Sequence, residues 1–190
     1  MEMLKKRINE SAKIIGSEIV KVDSFLNHQI DVNLLNEMGK EFKARFANKE
    51  VTKILTIEAS GIGLACITAQ YFKNVPVVFA KKLEAKNLSN DVYESQVYSF
   101  TKDKNYTIRV SKEYIDSQDK VLIIDDFLAM GNAAVGLINI VRQAQAQVVG
   151  VGIAIEKGFQ KGRTKIEEND VKVESLAIIK SIDNGQIVFA

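Results

Sequence analysis

Apolar residues follow two different rhythms along this chain. Near the start, Leu4, Ile8, Ala12 and Ile15 recur at helical spacing, which predicts an opening helix. Asp31 stands as an N-cap ahead of a second helix whose apolar stripe is Leu35, Met38, Phe42 and Phe46. Between the two, residues 18–23 read as a short strand. After Lys53 the rhythm changes to short unbroken apolar runs at 54–57, 75–80, 121–124 and 148–155, with helical patterns at 62–72 and 132–144. Runs without polar alternation are typical of strands buried on both faces, and helices between them predict a mainly parallel sheet of the α/β class. Residues 92–110, rich in Val, Tyr, Ser and Thr with a polar interruption at 101–105, read as an antiparallel hairpin at the edge of that core.

Eleven glycines and one proline in 190 residues, with no repeat or low-complexity stretch, predict one domain over 1–190. The 26 basic and 24 acidic residues are interspersed and leave a net charge of +2, so electrostatics supplies no reason to expect nucleic acid or a membrane surface as partner. No apolar run approaches the roughly 20 residues of a membrane span, and the N-terminus lacks a signal-like apolar stretch. The single cysteine, Cys66, excludes a disulfide scaffold and a zinc-finger module and points to a reducing cytoplasm.

In parallel sheets ligands bind beyond the carboxyl ends of the strands. Three segments therefore matter: 58–63, 125–133 and 156–159. The second is the most informative, because an apolar run leads into Asp125 and Asp126, then into the small-residue turn Ala129, Met130, Gly131, Asn132 and Ala133 that opens a helix. Backbone N–H groups at a helix start can hold a phosphate, and paired carboxylates can accept from sugar hydroxyls. Gly131 and Gly136 have the spacing of a nucleoside-triphosphate loop, but Leu137-Ile138 replaces its Lys and Ser/Thr, so that motif is rejected.

The stretch 121–132 resembles the phosphoribosyl diphosphate motif of type I phosphoribosyltransferases. Residues 21–30, 58–61, 76–80 and 155–157 extend the likeness along nearly the whole chain, toward the bacterial xanthine-using branch of that family. The resemblance implies a type I phosphoribosyltransferase fold: a mainly parallel central sheet flanked by helices, an antiparallel flap, and a small hood from residues 1–50. It also implies a purine-salvage pentosyltransferase that is a cytoplasmic homodimer. Its substrates would be xanthine and phosphoribosyl diphosphate, with magnesium carried on the diphosphate oxygens.

Residue by residue, the likeness gives Asp125 and Asp126 to the ribose and its developing cationic charge. It gives the 5-phosphate to Ala129, Met130, Gly131, Asn132 and Ala133, and the pyrophosphate to Glu58, Ala59, Ser60 and Gly61. Lys157 would recognise the 6-oxo group of the purine, Phe159 would stack on the base, and Val20 and Asn27 would complete the xanthine contacts, Val20 through its backbone. Residues 82–91 are the candidate lid. Ala129 stands where hypoxanthine and guanine enzymes of this fold carry an aspartate base, which favours xanthine, the more acidic purine. The alternatives are a hypoxanthine/guanine transferase, or a purine regulator that senses phosphoribosyl diphosphate without transferring it. Lys81, Lys82, Lys161 and Arg163 receive no role. His28 is read as a hydrogen-bonded structural residue and Cys66 as a core residue.

Overall fold

The computed structural model describes residues 1–16, 18–82, 91–99 and 104–190. Its first elements are α1 (Glu2–Ser11), β1 (Lys13–Ile15) and β2 (Ile19–Lys21). Helix α1 buries Leu4 and Ile8 as the spacing predicts, but it ends before Ile15. Ile14 and Ile15 instead face Val20 and Ile19 across an antiparallel hairpin, a setting that suits β-branched side chains better than a helix does. A π-helical turn (Asp23–Asn27) leads to α2 (Val32–Arg45). Asp31 caps α2, its Oδ1 accepting from Leu34 N at 3.1 Å, and Leu35, Met38, Phe42 and Phe46 are all buried.

There follow β3 (Lys53–Ile57), α3 (Gly61–Tyr71), β4 (Val77–Ala80), the hairpin of β5 (Val92–Ser99) and β6 (Lys104–Ser111), and β7 (Lys120–Leu128). The chain then runs through α4 (Asn132–Gln143), β8 (Gln147–Lys157), α5 (Gly162–Glu167), β9 (Val173–Asp183) and β10 (Gln186–Phe189). Among the described residues, β10-β9-β8-β7-β3-β4 form one sheet, parallel throughout except for the antiparallel edge strand β10. The unbroken apolar runs now have their cause. In β7, Leu122 and Ile124 enter the core beneath α2 and α3, while Val121 and Ile123 enter the core beneath α4.

β5 and β6 pair antiparallel as a separate ribbon, joined to the sheet edge by a Lys81–Arg109 bridge, and Val97 and Ile108 pack against α4. Residues 101–103 of the polar interruption and 83–90 of the candidate lid lie outside the described residues. From β3 the chain crosses through α3 to β4 on one side, and from β7 it crosses through α4 to β8 on the other. The carboxyl ends of β3 and β7 thus flank a switch point, where a parallel sheet opens a ligand crevice.

Candidate active site

Asp125 and Asp126 do not follow the strand, as the apolar run suggested; they lie inside β7, which continues to Leu128 with Asp125 opposite Ile153 and Leu128 opposite Glu156. Consecutive strand residues point to opposite faces, so the two carboxylates serve different sides of the sheet. Asp125 faces α4 and the ribbon, and Asp126 faces the N-terminal hood. Each is only 6% exposed.

Asp125 Oδ1 accepts from the Asp126 backbone N at 2.9 Å. Burial first, and the adjacent Asp126 carboxylate second, push the Asp125 pKa well above the ordinary 3.8, with Lys82 pulling the other way. Tyr106, on β6, is raised in turn by its own burial and then by the Asp125 charge. The Lys82 ammonium sits 5.8 Å from the centre of the Tyr106 ring. Lys82, unassigned from sequence, is therefore part of the electrostatic setting of the acidic pair.

Beyond Leu128 the loop through Ala129, Met130 and Gly131 turns into α4. Gly131 has φ +80°, and a Cβ there would fall 2.8 Å from Gly162 O, so only glycine suits both the turn and the contact. No side chain caps α4, which leaves its leading N–H groups directed at the cleft. The cleft holds about 210 Å³ between this loop, Asp125, Phe127 and the ribbon residues Val97, Tyr98 and Tyr106. A larger hollow of about 760 Å³ between β4 and β6 contains neither carboxylate.

The turn after β3 closes a second wall. Glu58 Oε1 accepts from Lys82 N at 2.5 Å, and the Glu58–Ala59 peptide is cis. At Gly61 a Cβ would fall 2.1 Å from Thr56 Oγ1 and 3.0 Å from Asp125 Oδ1. The missing side chain lets the start of α3 press against the acidic strand, bringing Glu58, Ala59, Ser60 and Gly61 beside it.

On the hood side, Asn27 Nδ2 lies 3.4 Å from Asp126 Oδ2. Val20 is 6% exposed with its side chain in the core, so only its backbone can face a ligand. Lys157, the last residue of β8, donates from Nζ to Glu18 O at 2.8 Å, and burial lowers its pKa. Phe159, just beyond, is 39% exposed. Of these four residues, Asn27 meets Asp126 directly, and Lys157 meets the turn between β1 and β2 through Glu18 O.

The profile of the Phosphoribosyl transferase domain family matches residues 21–189. The chain belongs to the phosphoribosyltransferase family. This phosphoribosyltransferase is 68% identical over 189 residues to the xanthine phosphoribosyltransferase of Clostridium novyi, and 62% identical to that of Ruminiclostridium cellulolyticum. Both alignments cover 100% of this chain and 99% of the relative. Among solved structures it is similar to the APRTase of Giardia lamblia complexed with 9-deazaadenine, with TM-score 0.69, 28% identity, and coverage of 77% and 79% of the two chains. The adenine phosphoribosyltransferase of Rhodothermus marinus superposes with TM-score 0.76 at 22% identity, over 94% of this phosphoribosyltransferase and 100% of that chain, a likeness of fold. The type I fold expected from the sequence is therefore the fold observed.

One expectation outside the centre is corrected. Cys66 is exposed, because the buried stripe of α3 runs through Gly61, Leu64, Ala65, Thr68 and Ala69 and passes it by. His28 is exposed at the end of the π-helical turn, held there through its backbone N–H, which donates to Asp23 O. Tyr98 and Tyr106 line the cleft without having been singled out, since an alternating hairpin offers no local sign of which face meets a ligand.

Proposed function

We propose that this phosphoribosyltransferase joins xanthine to phosphoribosyl diphosphate, giving xanthosine 5′-monophosphate and pyrophosphate in purine salvage. The carrying observation is the meeting of the acidic strand, the α4 loop and Asn27 at the switch point, in a chain so alike over its full length to two xanthine phosphoribosyltransferases. In this reading the five-membered-ring nitrogen of xanthine forms a bond to the anomeric carbon as the bond from that carbon to the diphosphate oxygen breaks. The nitrogen's proton leaves to water. Asp125 and Asp126 hold the ribose hydroxyls from the two faces of β7, and the charge on the pair favours the oxocarbenium character of the anomeric carbon. Backbone N–H groups of Ala129, Met130, Gly131, Asn132 and Ala133 hold the 5-phosphate, and Glu58, Ala59, Ser60 and Gly61 face the pyrophosphate.

Lys157 donates to the 6-oxo group, exchanging its present acceptor, Glu18 O, for the base. Phe159 supplies a stacking face, and Asn27 and the Val20 backbone complete the edge contacts. Adjacent carboxylates are hard oxygen donors of the kind magnesium accepts, and magnesium bound to the diphosphate would neutralise charge on the leaving group. We further assign the chain as one domain over 1–190, with 1–50 contributing the hood, acting as a cytoplasmic homodimer. No helix of the described residues is long and apolar enough to cross a membrane. Incubating the protein with xanthine and phosphoribosyl diphosphate tests the reaction: equal yields of xanthosine 5′-monophosphate and pyrophosphate support it, and uptake of phosphoribosyl diphosphate without either product contradicts it.

A further inference from the structure

The chain just after Lys157 joins the two halves of the site through contacts that neither substrate needs to make. Glu156, 3% exposed, precedes Lys157 on β8 and lies opposite Leu128, the last strand residue before the phosphate loop. One of its carboxylate oxygens accepts from Arg163 Nε at 2.9 Å and the other from Arg163 Nη2 at 2.6 Å, with Ser175 Oγ as a third donor. Arg163 Nη1 also donates to Val173 O at 3.2 Å. A planar fork on both carboxylate oxygens fixes position and orientation together, which a single ammonium would not do. The neighbouring residue, Gly162, is pressed into the phosphate loop: a Cβ on it would fall 2.3 Å from Ala129 O. Lys165 Nζ adds a second tie from α5, donating to Asn132 Oδ1 at 2.9 Å.

We propose that Arg163 is a positioning residue for both substrate subsites: locked onto Glu156, it sets the base-facing segment 157–161 and, through Gly162, the phosphate loop before either substrate arrives. The inference rests on the assignment of Lys157 to the base and of residues 129–133 to the 5-phosphate. Its physical content is preorganisation. A shared segment already held in place costs neither ligand any ordering, whereas a released segment must be ordered by whichever ligand binds first, and the second then binds without that cost. Release of the clamp should therefore weaken both ligands and create positive coupling between them.

Titration calorimetry with ribose 5-phosphate and xanthine, each alone and each with the other at saturation, reads this directly. The informative variant is Glu156→Gln combined with Arg163→Met, which removes the fork without stranding a buried carboxylate. The expected result is that each ligand alone binds about fivefold more weakly than to wild type, and that preloading one recovers most of the other's loss. Arg163→Lys, which keeps the charge paired with Glu156 but loses the fork, should weaken both ligands by a smaller factor, about twofold, and it decides the matter if the double variant does not fold, unchanged affinities overturning the proposal. Weakening of xanthine alone would confine Arg163 to the base segment and overturn the proposal, as would lowered thermal stability with unchanged affinities. If wild type takes up ribose 5-phosphate but not xanthine, the purine assignment fails. The ribose 5-phosphate affinity of the variant still decides the clamp, weakening supporting it and an unchanged value overturning it.

Discussion

Asn27 and Asp126 stand 99 positions apart in sequence and 3.4 Å apart in space, the amide Nδ2 directed at Oδ2, so the hood and the acidic strand meet through a polar contact. The contact places the hood beside a carboxylate that the proposed function assigns to the ribose. Asp126→Asn keeps the shape and loses the charge, and the charge matters most as the ribose becomes cationic. Turnover should fall by about 10²- to 10³-fold, while xanthine binding weakens far less. Steady-state kinetics with a direct xanthine titration check it; equal losses in turnover and binding would make Asp126 a simple binding group.

Asp125 is held at a cost to stability. Its pKa in the folded protein is raised, by burial and then by Asp126, so the folded state retains a proton that the unfolded chain releases above the ordinary 3.8. Wild-type stability should then fall as pH rises through the raised value. Asp125→Asn has no proton to lose. It should be more stable than wild type near neutral pH, the advantage shrinking toward acid, and nearly inactive. Urea unfolding from about pH 4 to about pH 8 measures this; an advantage independent of pH would contradict it.

The parallel core was legible because both-face burial leaves unbroken runs such as Val121 to Ile124, and the Asp31 cap was legible because a cap is a local event. Ile15 misled, since a spacing of three and four fits the helix, whereas pairing with Ile19 depends on the turn between them. The acidic pair was found, but placed after β7 instead of within it: two buried carboxylates break the apolar pattern, though not the strand ladder to β8. Arg163 gave no local sign, because its value comes from Glu156 and Ser175, which a linear pattern does not bring together. Tyr106 joins the site only when the ribbon packs against α4, and Lys82 only when its N–H meets Glu58 after β3.

The proposed function gives Lys157 the preference for an oxo group. Its ammonium is half-buried and already engaged with a carbonyl oxygen, Glu18 O, which presents the same acceptor chemistry as a 6-oxo purine. Replacing it with Ala should lower activity on 6-oxo purines by about tenfold or more and erase discrimination against adenine. Retained discrimination in Lys157→Ala would place that selectivity elsewhere.

In the proposed reaction Ala129 offers no base at the start of the loop after β7, so the purine would release its proton to water. Xanthine, whose two oxo groups spread negative charge, does so most readily. Ala129→Asp should leave the xanthine rate little changed and raise the hypoxanthine or guanine rate, read beside its affinity for phosphoribosyl diphosphate to separate base catalysis from repulsion of the 5-phosphate. A fall in all three rates with unchanged phosphoribosyl diphosphate affinity would count against this reading.

Competition among purines tests the central claim most directly. Equal amounts of xanthine, hypoxanthine, guanine and adenine are offered to the wild-type protein with limiting phosphoribosyl diphosphate, and the nucleotide products are separated and quantified. Products form in proportion to kcat/KM, so the assay ranks transition-state recognition without separate constants. Xanthosine 5′-monophosphate is expected as the main product and adenosine 5′-monophosphate as the least. A larger yield from hypoxanthine, guanine or adenine than from xanthine would contradict the account.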